Sequence, residues 1–128
     1  MLIMEPEVGP WWSGKGTYSV ICQMNPDRSW ADRSRRTWRL LRHEQLHFDI
    51  AEWHARMLRS QVSTEPVTEK EAIRAFDKIF EELEEIQDRY DRDTDHGLKP
   101  DVQRDWENRV QRELKKWERF SKSDCDWG

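Results

Sequence analysis

Apolar residues recur at three- and four-residue intervals over most of this chain and alternate clearly in one short stretch near its start. Val102, Trp106, Val110, Leu114 and Trp117 form a stripe that predicts a helix from about Pro100 to about Phe120. Proline suits its first turn, where no backbone N–H is needed. Ile73, Phe76, Phe80, Leu83, Ile86 and Tyr90 predict a second helix from Thr68 to about Tyr90. It opens on Thr68-Glu69-Lys70-Glu71, a capping box in which Glu71 answers Thr68. A third helical pattern precedes both. It starts near Asp32 to Ser34 and runs to about Ser60, with Trp38, Leu41, Ala51, Ala55 and Leu58 at helical spacing and Leu46, Ile50 and Trp53 beside them. Being apolar over much of its circumference, this helix is expected to be largely buried.

The alternating stretch is Thr17 to Met24, a strand that sets Tyr18, Val20, Cys22 and Met24 against Ser19, Ile21 and Gln23. Asn25-Pro26-Asp27 punctuates it as a turn. One strand is not stable alone, so a partner is expected from the N-terminal segment or from near Ser29-Trp30. Residues 1–16, with three glycines and two prolines, read as an irregular segment in which Trp11 and Trp12 pack back on the core. Residues 121–128 read as a frayed tail. The pattern is α+β: short N-terminal strands or a hairpin, then three long helices.

At 128 residues, the chain has room for one domain and one core. Charged residues make up 38% and hydrophobic ones only 35%, yet eight Trp, four Phe and two Tyr argue for a folded core rather than disorder. A net charge of -4 and the lack of a basic stripe interleaved with aromatics speak against nucleic-acid binding. No apolar run approaches a membrane span. Met1-Leu2-Ile3-Met4 runs straight into Glu5-Pro6-Glu7, so no export leader is read here. Cys22 and Cys125 allow at most one disulfide and form no cysteine metal motif.

Against this background one stretch carries chemistry: His43-Glu44-Gln45-Leu46-His47, an H-E-x-x-H motif inside the first long helix. Histidines four apart lie about 40° apart around a helix and roughly 6 Å apart along it, so both imidazoles can reach one ion. Glu44 is then placed to act as general base toward a metal-activated water. The expectation is a zinc-dependent peptidase with one Zn2+ per chain and a polypeptide substrate. A third ligand is needed. From His47 to Ser60 the first helix runs on for about 20 Å, and the second, about 33 Å long, returns antiparallel past that level. The acidic segment 91–97 therefore arrives at the metal, with His96 as first choice and Asp95, Asp93 and Asp91 as alternates. Tyr90 borders that segment and is the favoured oxyanion donor, with His54 the other possibility. His54 lies about 10 Å further along the helix than His47 and cannot share the ion. Strand 17–24 could hold an extended substrate by strand addition.

The run Ser29-Trp30, then Leu40-Leu41-Arg42-His43-Glu44-Gln45-Leu46-His47-Phe48-Asp49-Ile50-Ala51-Glu52, resembles the family called domain of unknown function 922. A second block agrees: Gln87, Tyr90-Asp91, Thr94-Asp95-His96-Gly97, then Gln103 and Trp106. Members are bacterial and described as secreted zinc-dependent proteases of the zincin type. The resemblance implies a zincin-like fold, His43 and His47 as zinc ligands, Glu44 as base, His96 as third ligand, and a secreted or periplasmic location. Leu46 stands where glycine is expected. The rival expectation from another class is a non-catalytic module in which zinc only staples the helices together.

Overall fold

A computed structural model describes residues 1–7, 9, 11–23 and 38–121. It is α+β, with short N-terminal strands and three helices. Strand β1 (Leu2–Pro6) is followed by a 3-10 turn (Trp11–Ser13), a two-residue β2 (Lys15–Gly16) and β3 (Tyr18–Cys22). β1 and β3 pair antiparallel, Leu2 opposite Cys22 and Pro6 opposite Tyr18. The partner strand thus comes from the N-terminal segment, which is more regular than its glycines and prolines suggested. Pro6 stands at the end of an edge strand, where its missing N–H costs least. In β3, Tyr18, Val20 and Cys22 are buried as the alternation requires, and Leu2 joins them from β1.

The segment's two tryptophans behave differently. Trp11 packs edge-on against Tyr18 and lies over Gly16, where a Cβ would fall 2.2 Å from its ring. Trp12 is 90% exposed and does not pack back on the core.

Helix α1 (Trp38–Val62) is central, packing against β3 and both other helices. Its middle and C-terminal half are buried on nearly all sides: Leu46, Phe48, Ile50, Ala51, Trp53, Ala55, Leu58 and Val62. The expected burial fails at the start, where Trp38 is 88% exposed and Leu41 42%. The predicted helix start at 32–34, the turn at 25–27, the strand-partner position 29–30, Cys125 and the tail beyond Ser121 lie outside the described residues.

β4 (Val67–Thr68) pairs with β2 and leads into α2 (Glu69–Thr94), whose capping box forms as expected between Thr68 and Glu71. Buried positions on α2 are Ala72, Ile79, Leu83, Tyr90 and Thr94, whereas Ile73 of the predicted stripe is 47% exposed. Helix α3 (Pro100–Lys116) has Pro100 in its first turn and buries Gln103, Trp106 and Val110, with a 3-10 turn at Glu118–Phe120. Among the described residues, no helix is long and apolar enough to cross a membrane.

α2 ends four residues later than predicted. Asp91 to Thr94 are polar, but Arg92 and Asp93 lie on the outside of a helix, where polarity is no stop signal. The stop is conformational: Asp95, His96 and Gly97 all take positive φ (50°, 55° and 88°). Thr94 secures the turn by donating to the Tyr90 carbonyl at 2.7 Å and accepting the Gly97 N–H at 3.2 Å.

Candidate metal centre

Helix α1 carries His43 and His47 one turn apart, and antiparallel α2 returns beside them, as the helix lengths predicted. Gln87, Tyr90, Asp91 and Thr94 stand at three- and four-residue spacing on α2 and so share one face. Three of these four meet the histidine pair directly.

Asp91 makes the central contact. Its Oδ1 lies 2.8 Å from His43 Nε2 and 2.7 Å from His47 Nε2. These three side chains form a group of metal-competent atoms within 4.8 Å of one another. Two imidazole nitrogens and a carboxylate oxygen are a donor set that suits zinc and leaves a fourth position for water. Tetrahedral zinc sets its ligand atoms about 3.3 Å apart, so the Asp91 oxygen would draw back about 0.5 Å from each imidazole nitrogen to admit an ion. His43 is buried, while His47 and Asp91 are partly open to solvent. Burial pushes the Asp91 carboxyl up, but hydrogen bonds and charge from the two histidines outweigh it, and the net shift is downward.

The far sides of the rings are held as well. His43 Nδ1 lies 3.0 Å from Gln103 Oε1, and His47 Nδ1 contacts Gln87 Oε1. Tyr90 is the platform beneath both: its ring stacks on His43 at 4.5 Å and meets His47 edge-on at 4.8 Å. Gly97 closes over the other flank of His43, where an added Cβ would come within 3.0 Å of Cγ.

The expected site residues are distributed as follows. His43, Glu44 and His47 share one turn of α1, with Glu44 half-buried. The Glu44 carboxylate is close enough to help raise the Tyr90 pKa, after burial and other causes. His96 sits at the rim: its side chain is 76% exposed and its Nδ1 is 4.0 Å from Asp91 Oδ1, outside the three-atom cluster. Asp91, an alternate at the sequence level, occupies the third position. Asp93 is turned to α3, accepting from Trp106 Nε1 at 3.2 Å. Asp95 caps α2.

Tyr90 does not suit the oxyanion role expected of it. It is fully buried, and its hydroxyl donates within the protein, toward the His43 carbonyl at 2.9 Å and Gln103 Oε1 at 3.0 Å. Burial also pushes its pKa well up. His54 is buried too, with Nδ1 2.8 Å from the Ile50 carbonyl.

Beside the cluster, an open groove of about 470 Å³ is lined by Glu85, Asp88, Arg89, Asp91, Arg92 and His96. Asp91 belongs to both. Sequence reasoning gave no role to Gln87, Gln103 and Gly97. All three stood in the family-resemblance block, and for the two glutamines a second signal was a polar residue on the inward face of an amphipathic helix, where hydrophobic ones are the rule.

Comparison with curated proteins and with solved structures yields no match. A family profile described as "bacterial protein of unknown function (DUF922)" matches residues 16–97, more than half of the chain and the whole of the histidine–aspartate cluster. The chain therefore belongs to this bacterial family.

Proposed function

We propose that the protein is a zinc-dependent peptidase of the zincin type, with His43, His47 and Asp91 as the metal-holding residues. The observation that carries the reading is the convergence of His43 Nε2 and His47 Nε2 on one carboxylate oxygen of Asp91. An H-E-x-x-H helix has a peptidase use because its glutamate adjoins the first metal ligand. When bound, zinc supplies Lewis acidity toward a carbonyl oxygen and acidifies a water to a pKa of about 7. Glu44 takes the proton of the attacking water and returns it to the leaving amine. His43 and His47 turn their Nε2 atoms toward Asp91, where they would hold the metal, and Tyr90 packs against both rings. The groove at Asp91 and His96 is a place for polypeptide beside the reacting bond.

The test of catalysis is Glu44→Gln. It is expected to keep zinc and fold yet lose at least about 100-fold in hydrolysis of casein or a peptide library. Activity equal to wild type contradicts the general-base role. A second reading, a closed structural zinc staple, is favoured by one observation: His96 Nδ1 is only 4.0 Å from Asp91 and could complete a four-ligand shell. X-ray absorption on the zinc-loaded protein separates the two. The peptidase reading expects three protein ligands plus water, with zinc retained in His96→Ala and lost in Asp91→Ala. The staple expects four protein ligands and no hydrolysis.

A further inference from the structure

Both histidines of the cluster are backed by a glutamine, where a carboxylate or backbone carbonyl is the usual support for a metal-ligating imidazole. Each amide is fixed by a contact on its other side. Gln87 Nε2 donates to the His47 backbone carbonyl at 2.9 Å, so its Oε1 is the atom left to face His47 Nδ1. Gln103 Nε2 donates to Glu107 at 3.2 Å, and its Oε1 takes the Tyr90 hydroxyl and faces His43 Nδ1. Glu107 is itself held by a two-bond ion pair to Arg42. An amide oxygen only accepts, so each of these contacts requires an Nδ1–H.

We infer that Gln87 and Gln103 are positioning residues that hold His47 and His43 with Nδ1–H turned outward and Nε2 turned toward Asp91, where a metal would replace the Nε2 protons. The inference rests on the metal-binding reading above. It also explains why the residue is glutamine at position 103. A carboxylate there would accept from His43 and Tyr90 equally well, but it would face Glu107 across about the same distance. Only a side chain that accepts on one side and donates on the other fits between an imidazole N–H and a carboxylate. At position 87 the same two-sidedness is used between His47 Nδ1–H and the His47 carbonyl.

The test is zinc affinity, measured by chelator competition, together with proton NMR of the zinc-loaded protein. Gln87→Met and Gln103→Met are each expected to weaken zinc binding about 10- to 100-fold. In Gln87→Met the His47 Nδ1–H signal loses protection from solvent exchange while that of His43 keeps it; Gln103→Met gives the reverse. Gln103→Glu should weaken zinc as Gln103→Met does. The swap Gln103→Glu with Glu107→Gln should recover part of the affinity, because the 103–107 donor and acceptor change places while position 107 keeps one of its two bonds from Arg42. That recovery is not expected of a residue that merely fills space. Affinities within about twofold of wild type, or unchanged Nδ1–H protection in the Met variants, overturn the inference. If wild type binds no zinc at all, the metal reading and this inference fall together. If wild type binds zinc and the variants match it, only this inference falls.

Discussion

Gly97 shows how a single backbone position can govern a side chain on another helix. Its φ of 88° is one that L side chains rarely adopt, and its missing Cβ leaves room for the His43 ring at 3.0 Å. Gly97→Ala is therefore expected to cost about 1–3 kcal/mol and to weaken zinc binding along with stability. Chemical denaturation and a zinc titration check both. Loss of stability with unchanged zinc affinity would show that His43 is held in place without Gly97. His54 makes a different prediction. Burial lowers its pKa below 6.5, so the folded protein keeps it neutral where the unfolded chain would protonate it. Its contribution is thus complete above about pH 6.5 and is lost as the pH falls below that value. In the metal-free protein, His54→Gln should flatten the acid-side decline in stability by up to one bound proton. An unchanged pH profile would contradict the assignment.

Among the elements, α1 is tied to its surroundings by a buried charge cluster as well as by apolar packing. Arg59 donates to the Val20 carbonyl in β3 at 2.8 Å, to Glu52 within α1 at 3.1 Å, and to the Phe120 carbonyl at 3.0 Å. Arg56 joins Glu52 at 2.7 Å and the Leu114 carbonyl at 2.6 Å. Removing Arg59 leaves the Glu52 carboxylate buried with one cationic partner fewer. Arg59→Met should cost about 3–5 kcal/mol, read from urea denaturation of the metal-free protein; less than about 1 kcal/mol would contradict it. The helices, the strand from Tyr18 and the Thr68 cap were legible in the sequence because periodicity and capping are local signals. The Arg59–Glu52 cluster was not, because its partners lie 39 and 61 residues away along the chain. The end of α2 was misjudged because a solvated helical turn and a loop have the same composition. That matters for the site: on a loop, Asp91 is one acid among three, whereas on the helix it shares a face with Gln87 and Tyr90.

In the whole molecule, β3, α2 and α3 surround α1, and the histidine pair sits where α2 and α3 both reach it. The H-E-x-x-H motif and its antiparallel neighbour could be placed from helix lengths alone. The choice among His96, Asp95, Asp93 and Asp91 could not, since it depends on left-handed residues that turn His96 outward. The central claim is that this convergence is a metal centre, and zinc stoichiometry tests it most directly. Purified protein dialysed against zinc should hold about one zinc per chain by atomic emission. His43→Ala, His47→Ala and Asp91→Ala should each hold almost none while keeping their helical circular dichroism. Equal zinc content in wild type and all three variants, or none in wild type, would contradict the account.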